Sequence, residues 1–163
     1  MQFRIILICL CCVLLPAGVA LGQNEYGEWL KRAARQSGHE GRLKLAEALS
    51  RFDQNQALTA TKSLADVIDH GWKKPYPDII AVFEKQGPAL GAAVEAANTE
   101  GTKLPPADPA DPGAPVPSFL QVQLLFKTIA ADAHRYLAGG EVEAAADRAM
   151  ELLRLSEIFR DSP

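Results

Sequence analysis

SFLQVQLLFKTIAADAHRYLAGGEVEAAADRAMELLRLSEIFR, residues 118–160, reads as two amphipathic helices with a two-glycine turn between them. Ser118-Phe119-Leu120-Gln121 has the form of a capping box. The serine hydroxyl accepts from the backbone N–H three residues on, and the glutamine reaches back to the serine N–H. The helix it starts is predicted to run to about Ala138. Phe119, Val122, Phe126, Ile129, Ala133, Tyr136 and Leu137 form its main apolar face, and Leu120, Leu124 and Ala131 a second, narrower stripe. A helix with two apolar stripes is either central in a bundle or presents one stripe to another chain, so Leu120, Leu124 and Ala131 are the candidate partner-binding stripe. Gly139-Gly140 turns the chain into a last helix, Glu141–Arg160. Its expected core face is Val142, Ala145, Ala146, Ala149, Leu152 and Leu153, and its expected wet face Glu143, Asp147, Glu151 and Arg154.

Working back from this pair, the same periodicity predicts an all-α chain of six to seven helices arranged as antiparallel hairpins, with no strand. Asn24 is placed to cap a first helix carrying Tyr26, Trp29, Leu30, Ala33 and Ala34, which ends at Gly38. A second runs from Gly41 to Phe52. The polar group Asp53-Gln54-Asn55-Gln56 separates it from a third, Ala57–His70, which Gly71 ends. Pro75 and Pro77 keep residues 71–77 extended. A fourth helix begins at Asp78, and Gly87-Pro88 breaks or kinks the chain before a fifth, Pro88–Asn98. The alanines of that fifth segment allow close approach of a neighbour. Residues 99–117 hold six of the eleven prolines, so they read as a solvated spacer or long loop. The expected organisation is therefore a leader over 1–22, a helical segment over 23–98, a proline-rich linker over 99–117, and a hairpin over 118–163 that packs on the same core.

The leader rests on Arg4, the apolar run Ile5–Leu15, Pro16, and small residues up to Gly22. A basic start, an apolar stretch of about 7–15 residues and a small-x-small exit describe a cleavable export signal. Pro16 and Gly18 oppose a retained membrane anchor, and no cysteine follows the Leu-small-small triplet of a lipoprotein. Cleavage after Gly22 makes the protein periplasmic or extracellular, in a bacterial envelope, with no stable membrane insertion afterwards. All three cysteines, Cys9, Cys11 and Cys12, leave with the leader, which excludes disulfides, thiolate nucleophiles and cysteine-ligated metal from the mature chain. The full chain carries a net charge of −3, and losing Arg4 makes it slightly more acidic. That balance gives no electrostatic reason to expect nucleic acid as a partner.

Chemistry-bearing residues are sparse. Asp66 and His70 lie four apart on one helix, but an imidazolium in a last helical turn with an acid one turn earlier explains the pair without a metal, which would need three or four ligands. His39-Glu40 has no second histidine at Lys44, and Asp132 and His134 point to different faces. No nucleophile elbow, phosphate-binding loop or dinucleotide fingerprint is present. No catalytic residue, cofactor or metal is therefore assigned. Trp72 and Tyr76, with His70, form a candidate ligand groove, the alternative being hinge packing at a helix junction.

Residues 126–157 resemble one tetratricopeptide-type helical hairpin. Tyr136 stands late in the first helix, Gly140 at the turn and Ala145 early in the second helix, with Ala149 and Leu152 continuing the inner face. Asp132 stands where that family has a leucine and Glu157 where a proline closes the repeat, and no second copy follows at the period of about 34 residues. The linker at 71–76, the proline loop and the Gly140-Glu-Val-Glu-Ala-Ala-Ala helix otherwise resemble parts of uncharacterised secreted helical proteins of bacteria. The hairpin resemblance implies scaffolding or protein binding. The expectation is thus a non-enzymatic exported helical protein that offers an apolar helix face to another envelope protein. The alternative is a small-ligand-binding or hydrolytic protein with its pocket near Trp72–Tyr76.

Overall fold

The computed structural model describes residues 25–104 and 118–160, so the expected leader over 1–22, Asn24 and the proline-rich run 105–117 lie outside the described residues. The described chain is all-α. Its seven helices are α1 (Glu25–Ser37), α2 (Glu40–Arg51), α3 (Gln54–Thr59), α4 (Thr61–His70), α5 (Pro77–Asn98), α6 (Phe119–Ala138) and α7 (Val142–Arg160). None of them is long and apolar enough to cross a membrane.

Three of the boundaries differ from the sequence reading. The polar group at 53–56 starts a helix instead of separating two, because Asp53 caps α3 by accepting from the N–H groups of Asn55 and Gln56. The expected helix 57–70 is then split at Ala60. There the Thr59 hydroxyl donates to Gln56 O at 2.7 Å and the Thr61 hydroxyl to Leu58 O at 2.8 Å, two local bonds that compete with helix continuation. Conversely, Gly87-Pro88 does not divide the chain: α5 continues through Pro88 as one 22-residue helix. An interior proline costs about 3 kcal/mol. Burial of Ile79 and Val82 on one side of it, and of Ala89, Ala92, Ala93, Ala96 and Ala97 on the other, offsets that cost.

The alanine face of α5 receives α2, the most extensive helix pairing in the fold, and α1 packs on α2 while α6 packs on α7. One core joins Leu30, Leu45, Leu49, Phe52, Ala93 and Leu104 to Val122, Leu125, Ile129, Leu152, Leu155 and Ile158, so residues from both sides of the proline-rich run share it. A second cluster, built from Leu64, Val67, Tyr76, Ile79, Val82 and Ala131, lies between α4, the start of α5 and α6. Residues 99–104, the first part of the expected spacer, are packed: Thr102 and Leu104 are buried, and Arg42 Nε donates to Lys103 O at 2.7 Å.

The capping box is half formed. Ser118 Oγ accepts from Gln121 N at 3.4 Å, but the glutamine side chain does not turn back. It is 1% exposed, and its Nε2 donates to Leu49 O at 2.7 Å and Phe52 O at 3.3 Å, carbonyls at the end of α2 that have no helical partner. Gln86 holds the same corner from α5: its Oε1 accepts from Asp53 N at 3.1 Å, and its Nε2 donates to Gln56 Oε1 at 2.8 Å.

Candidate interaction surface

The candidate stripe on α6 does not form a surface. Leu124 (1% exposed) belongs to the main core and Ala131 to the second cluster, which leaves Leu120, at 37%, as the accessible member. The helix is central, and both its stripes are covered by its own chain. What remains open on α6 lies at its ends, at Phe119, Leu120 and Leu137.

The unpartnered apolar face is instead on α7, which sits roughly a third of a turn away from the orientation its sequence pattern suggests. Ala145, Glu151, Leu152, Leu155 and Ile158 point inward. Val142 (56%), Met150 (49%) and Leu153 (37%) are exposed, together with Ala146. These four residues share an arc of about 80° at 100° per residue, a continuous stripe along the helix. The sequence pattern puts Val142, Ala146 and Leu153 on the core face and Glu151 on the wet face; the structure reverses all four.

The physical reason is a polar seam. Asp132 on α6 accepts from Arg135 (Nε at 3.0 Å, Nη2 at 2.8 Å) and from Arg148 Nε at 2.9 Å. Arg148 Nη1 donates to Glu151 Oε2 at 2.8 Å, Asn98 Nδ2 donates to Glu151 Oε1 at 3.2 Å, and Arg154 donates to Asn98 Oδ1. α7 has two apolar faces of similar weight. The face that also brings Arg148 and Glu151 to Asp132 and Asn98 is the one buried, because every desolvated charge then has a partner.

The candidate ligand groove is occupied by its own side chains. Trp72 lies edge-on to Tyr76, with ring centroids 5.1 Å apart, and stacks on Phe83 at 6.3 Å. Tyr76 is buried, and its hydroxyl donates to Asp66 Oδ2 at 2.8 Å. His70 Nδ1 lies 3.1 Å from Asp66 Oδ1, and Lys74 Nζ lies 3.6 Å from Oδ2. The structure thus brings His70, Trp72 and Tyr76 together, as a latch that folds residues 71–76 back on α4, with the aromatic faces spent on one another.

The hydroxyl of Tyr76, followed by the nearby Lys74 and His70 charges, holds the Asp66 carboxyl below the usual carboxylate range, while the bond to Asp66 pushes the Tyr76 phenol up. A depressed folded pKa contributes stability that is present above about pH 4 and lost as pH falls through the lowered value. A raised phenol pKa contributes stability present below about pH 10 and lost as pH rises through the raised value. Asp66→Asn is therefore expected to narrow its Tm gap to the unmodified protein as pH drops below about 4. Thermal melts across that range check this, and a gap that stays constant would refute the latch.

His134, half-buried beside Gly71, is pushed down by burial. Among the described residues no group of three or more His, Cys, Asp or Glu side chains converges as a metal site requires. An open hollow of about 420 Å³ lies between the end of α5 and the last turns of α7. Its Thr99 and Thr102 hydroxyls are committed to Glu95 O and Thr99 O, and its Arg154 to Asn98. Glu100, Lys103 and Glu157 remain, with both signs of charge among them, so no donor set converges there.

The sequence reading places Val142, Ala146 and Leu153 on the core face and does not single out Met150, so it does not separate the α7 stripe from the core. Comparison with known proteins found no matching family model, no matching curated protein and no matching solved structure.

Proposed function

We propose that this protein is an exported, non-enzymatic interaction module of the cell envelope, which docks the apolar face of a protein partner on the outer side of α7. The observation that carries this reading is the stripe Val142, Ala146, Met150 and Leu153, left open along one face of α7, whereas the other exposed large apolar side chains, Leu58, Ile80, Phe119, Leu120 and Leu137, lie at scattered positions. Exposed large side chains scattered singly would need no explanation, but four aligned on one arc form a helix-binding surface. Export rests on the leader at 1–22. The hairpin-type resemblance of residues 126–157 points to the same kind of role.

Photo-crosslinking in cells tests it. A photoreactive residue at 146, 150 or 153 is expected to give a discrete adduct, and one at the exposed positions 62 or 69 none. Met150→Asp together with Leu153→Asp is expected to remove the adduct obtained from 146 while leaving the protein folded, at a cost of about 1 kcal/mol for the two changes, because Met150 is 49% and Leu153 37% exposed. Equal labelling at stripe and control positions, or unfolding of the double variant, would overturn the proposal.

A further inference from the structure

Resting on that reading, we infer that the occupant of the α7 stripe is a second copy of this chain, docked antiparallel about a two-fold axis between Ala149 and Met150. Two properties of α7 point there. The first is shape. In this register Leu153 of each copy lies over Ala146 of the other, a large side chain over a small one, and Met150 meets its counterpart near the axis.

The second is charge. Glu143, Asp147 and Arg154 all lie on the same flank of the stripe. Antiparallel two-fold packing brings like flanks together, so Arg154 of one copy falls between Glu143 and Asp147 of the other. Parallel packing would set that flank against the opposite one, where Ala145 and Ala149 offer no charge. Glu143 and Asp147 are exposed and form no ion pair among the described residues, and Arg154 gives its Nη1 to the neutral Asn98, a hydrogen bond that leaves its charge without an acidic partner among the described residues. Glu157 is the dissonant group: it lies within the arc of the stripe, one turn beyond Leu153 and near Val142 and Glu143 of the other copy, and keeps the association weak and reversible.

Sedimentation equilibrium of the purified protein from micromolar to millimolar concentration, with sequence changes on both sides of the contact, tests this. A monomer–dimer equilibrium that weakens with added salt is expected. Arg154→Glu in one preparation, and Glu143→Arg with Asp147→Arg in another, are each expected to weaken self-association roughly tenfold or more. Mixing the two should restore a dimer, because each reversed flank then meets its opposite. Glu157→Ala is expected to tighten the dimer. The Glu143 and Asp147 variants touch only exposed, unpaired groups, so they keep the test valid if Arg154→Glu disturbs Asn98.

A monomer at every concentration would overturn the inference, and so would a dimer that survives Met150→Asp or one that mixing does not restore. A monomer that still gives a heterologous crosslink from position 150 would sink self-docking and leave the interaction module standing. A monomer with no crosslink would sink both.

Discussion

Gln121→Leu is expected to lower the stability of the protein by about 2 kcal/mol, although leucine matches the volume and suits the apolar surroundings. The cost is not a cavity. The glutamine amide is the donor for Leu49 O and Phe52 O at the end of α2, and without it these carbonyls are buried with no replacement. An unsatisfied buried acceptor costs about 1–3 kcal/mol, against the 0.5–1.5 kcal/mol net value of an average hydrogen bond. Chemical denaturation measures the difference directly. Gln121→Glu should be worse, since a carboxylate cannot donate and would carry charge into the core. A loss below about 0.5 kcal/mol for Gln121→Leu would show that the corner is not held from α6.

The second large effect is Gly27→Ala. A Cβ at Gly27 would stand 2.7 Å from Ser50 N and 2.9 Å from Ser50 Cα, atoms of the α2 backbone that have no rotamer to yield. α1 must back away from α2, and Tyr26, Leu30 and Ala34 lose their fit against the core together. Overpacking of this kind costs about 1–3 kcal/mol, which outweighs the gain in helix propensity of up to 1 kcal/mol for Gly→Ala. Gly91→Ala is the control: a Cβ there meets nothing within 4 Å, so the same exchange in the middle of α5 should stabilise by up to about 1 kcal/mol. Thermal melts of the two variants should therefore shift in opposite directions. A shift of the same sign in both would refute the close α1–α2 approach.

Much of the fold was legible because helical periodicity is a local property. The apolar spacing of α1, α2 and α6, the glycine ends at Gly38 and Gly71, and the serine cap of α6 all follow from residues within a turn or two of one another. The misplacements share one cause. Asp53-Gln54-Asn55-Gln56 reads as a breaker when composition is weighed, yet Asp53 makes it a helix start, and Gln86 from α5 satisfies the junction. Pro88 reads as a break, yet burial on both sides of it carries the helix through. Both outcomes depend on groups more than 30 residues away in one case and on the whole packed face in the other.

The candidate surface shows the same division more sharply. The pattern of α7 announces two apolar arcs, Val142-Ala146-Met150-Leu153 and Ala145-Leu152-Leu155-Ile158, and hydrophobicity alone does not rank them. Asp132, less than two helical turns from the end of α6, and Asn98, at the end of α5, break the tie by pairing with Arg148 and Glu151.

By itself, the order of residues determined that this chain is all-α, where most of its helices begin and end, and which residue types are present for chemistry. Which arc of α7 faces water, that Leu124 and Ala131 are covered, and that two glutamines hold the α2–α3 corner were decided only on packing. The reason is that a side chain's burial is set by the partner it finds across the core, and that partner is a fact of three dimensions.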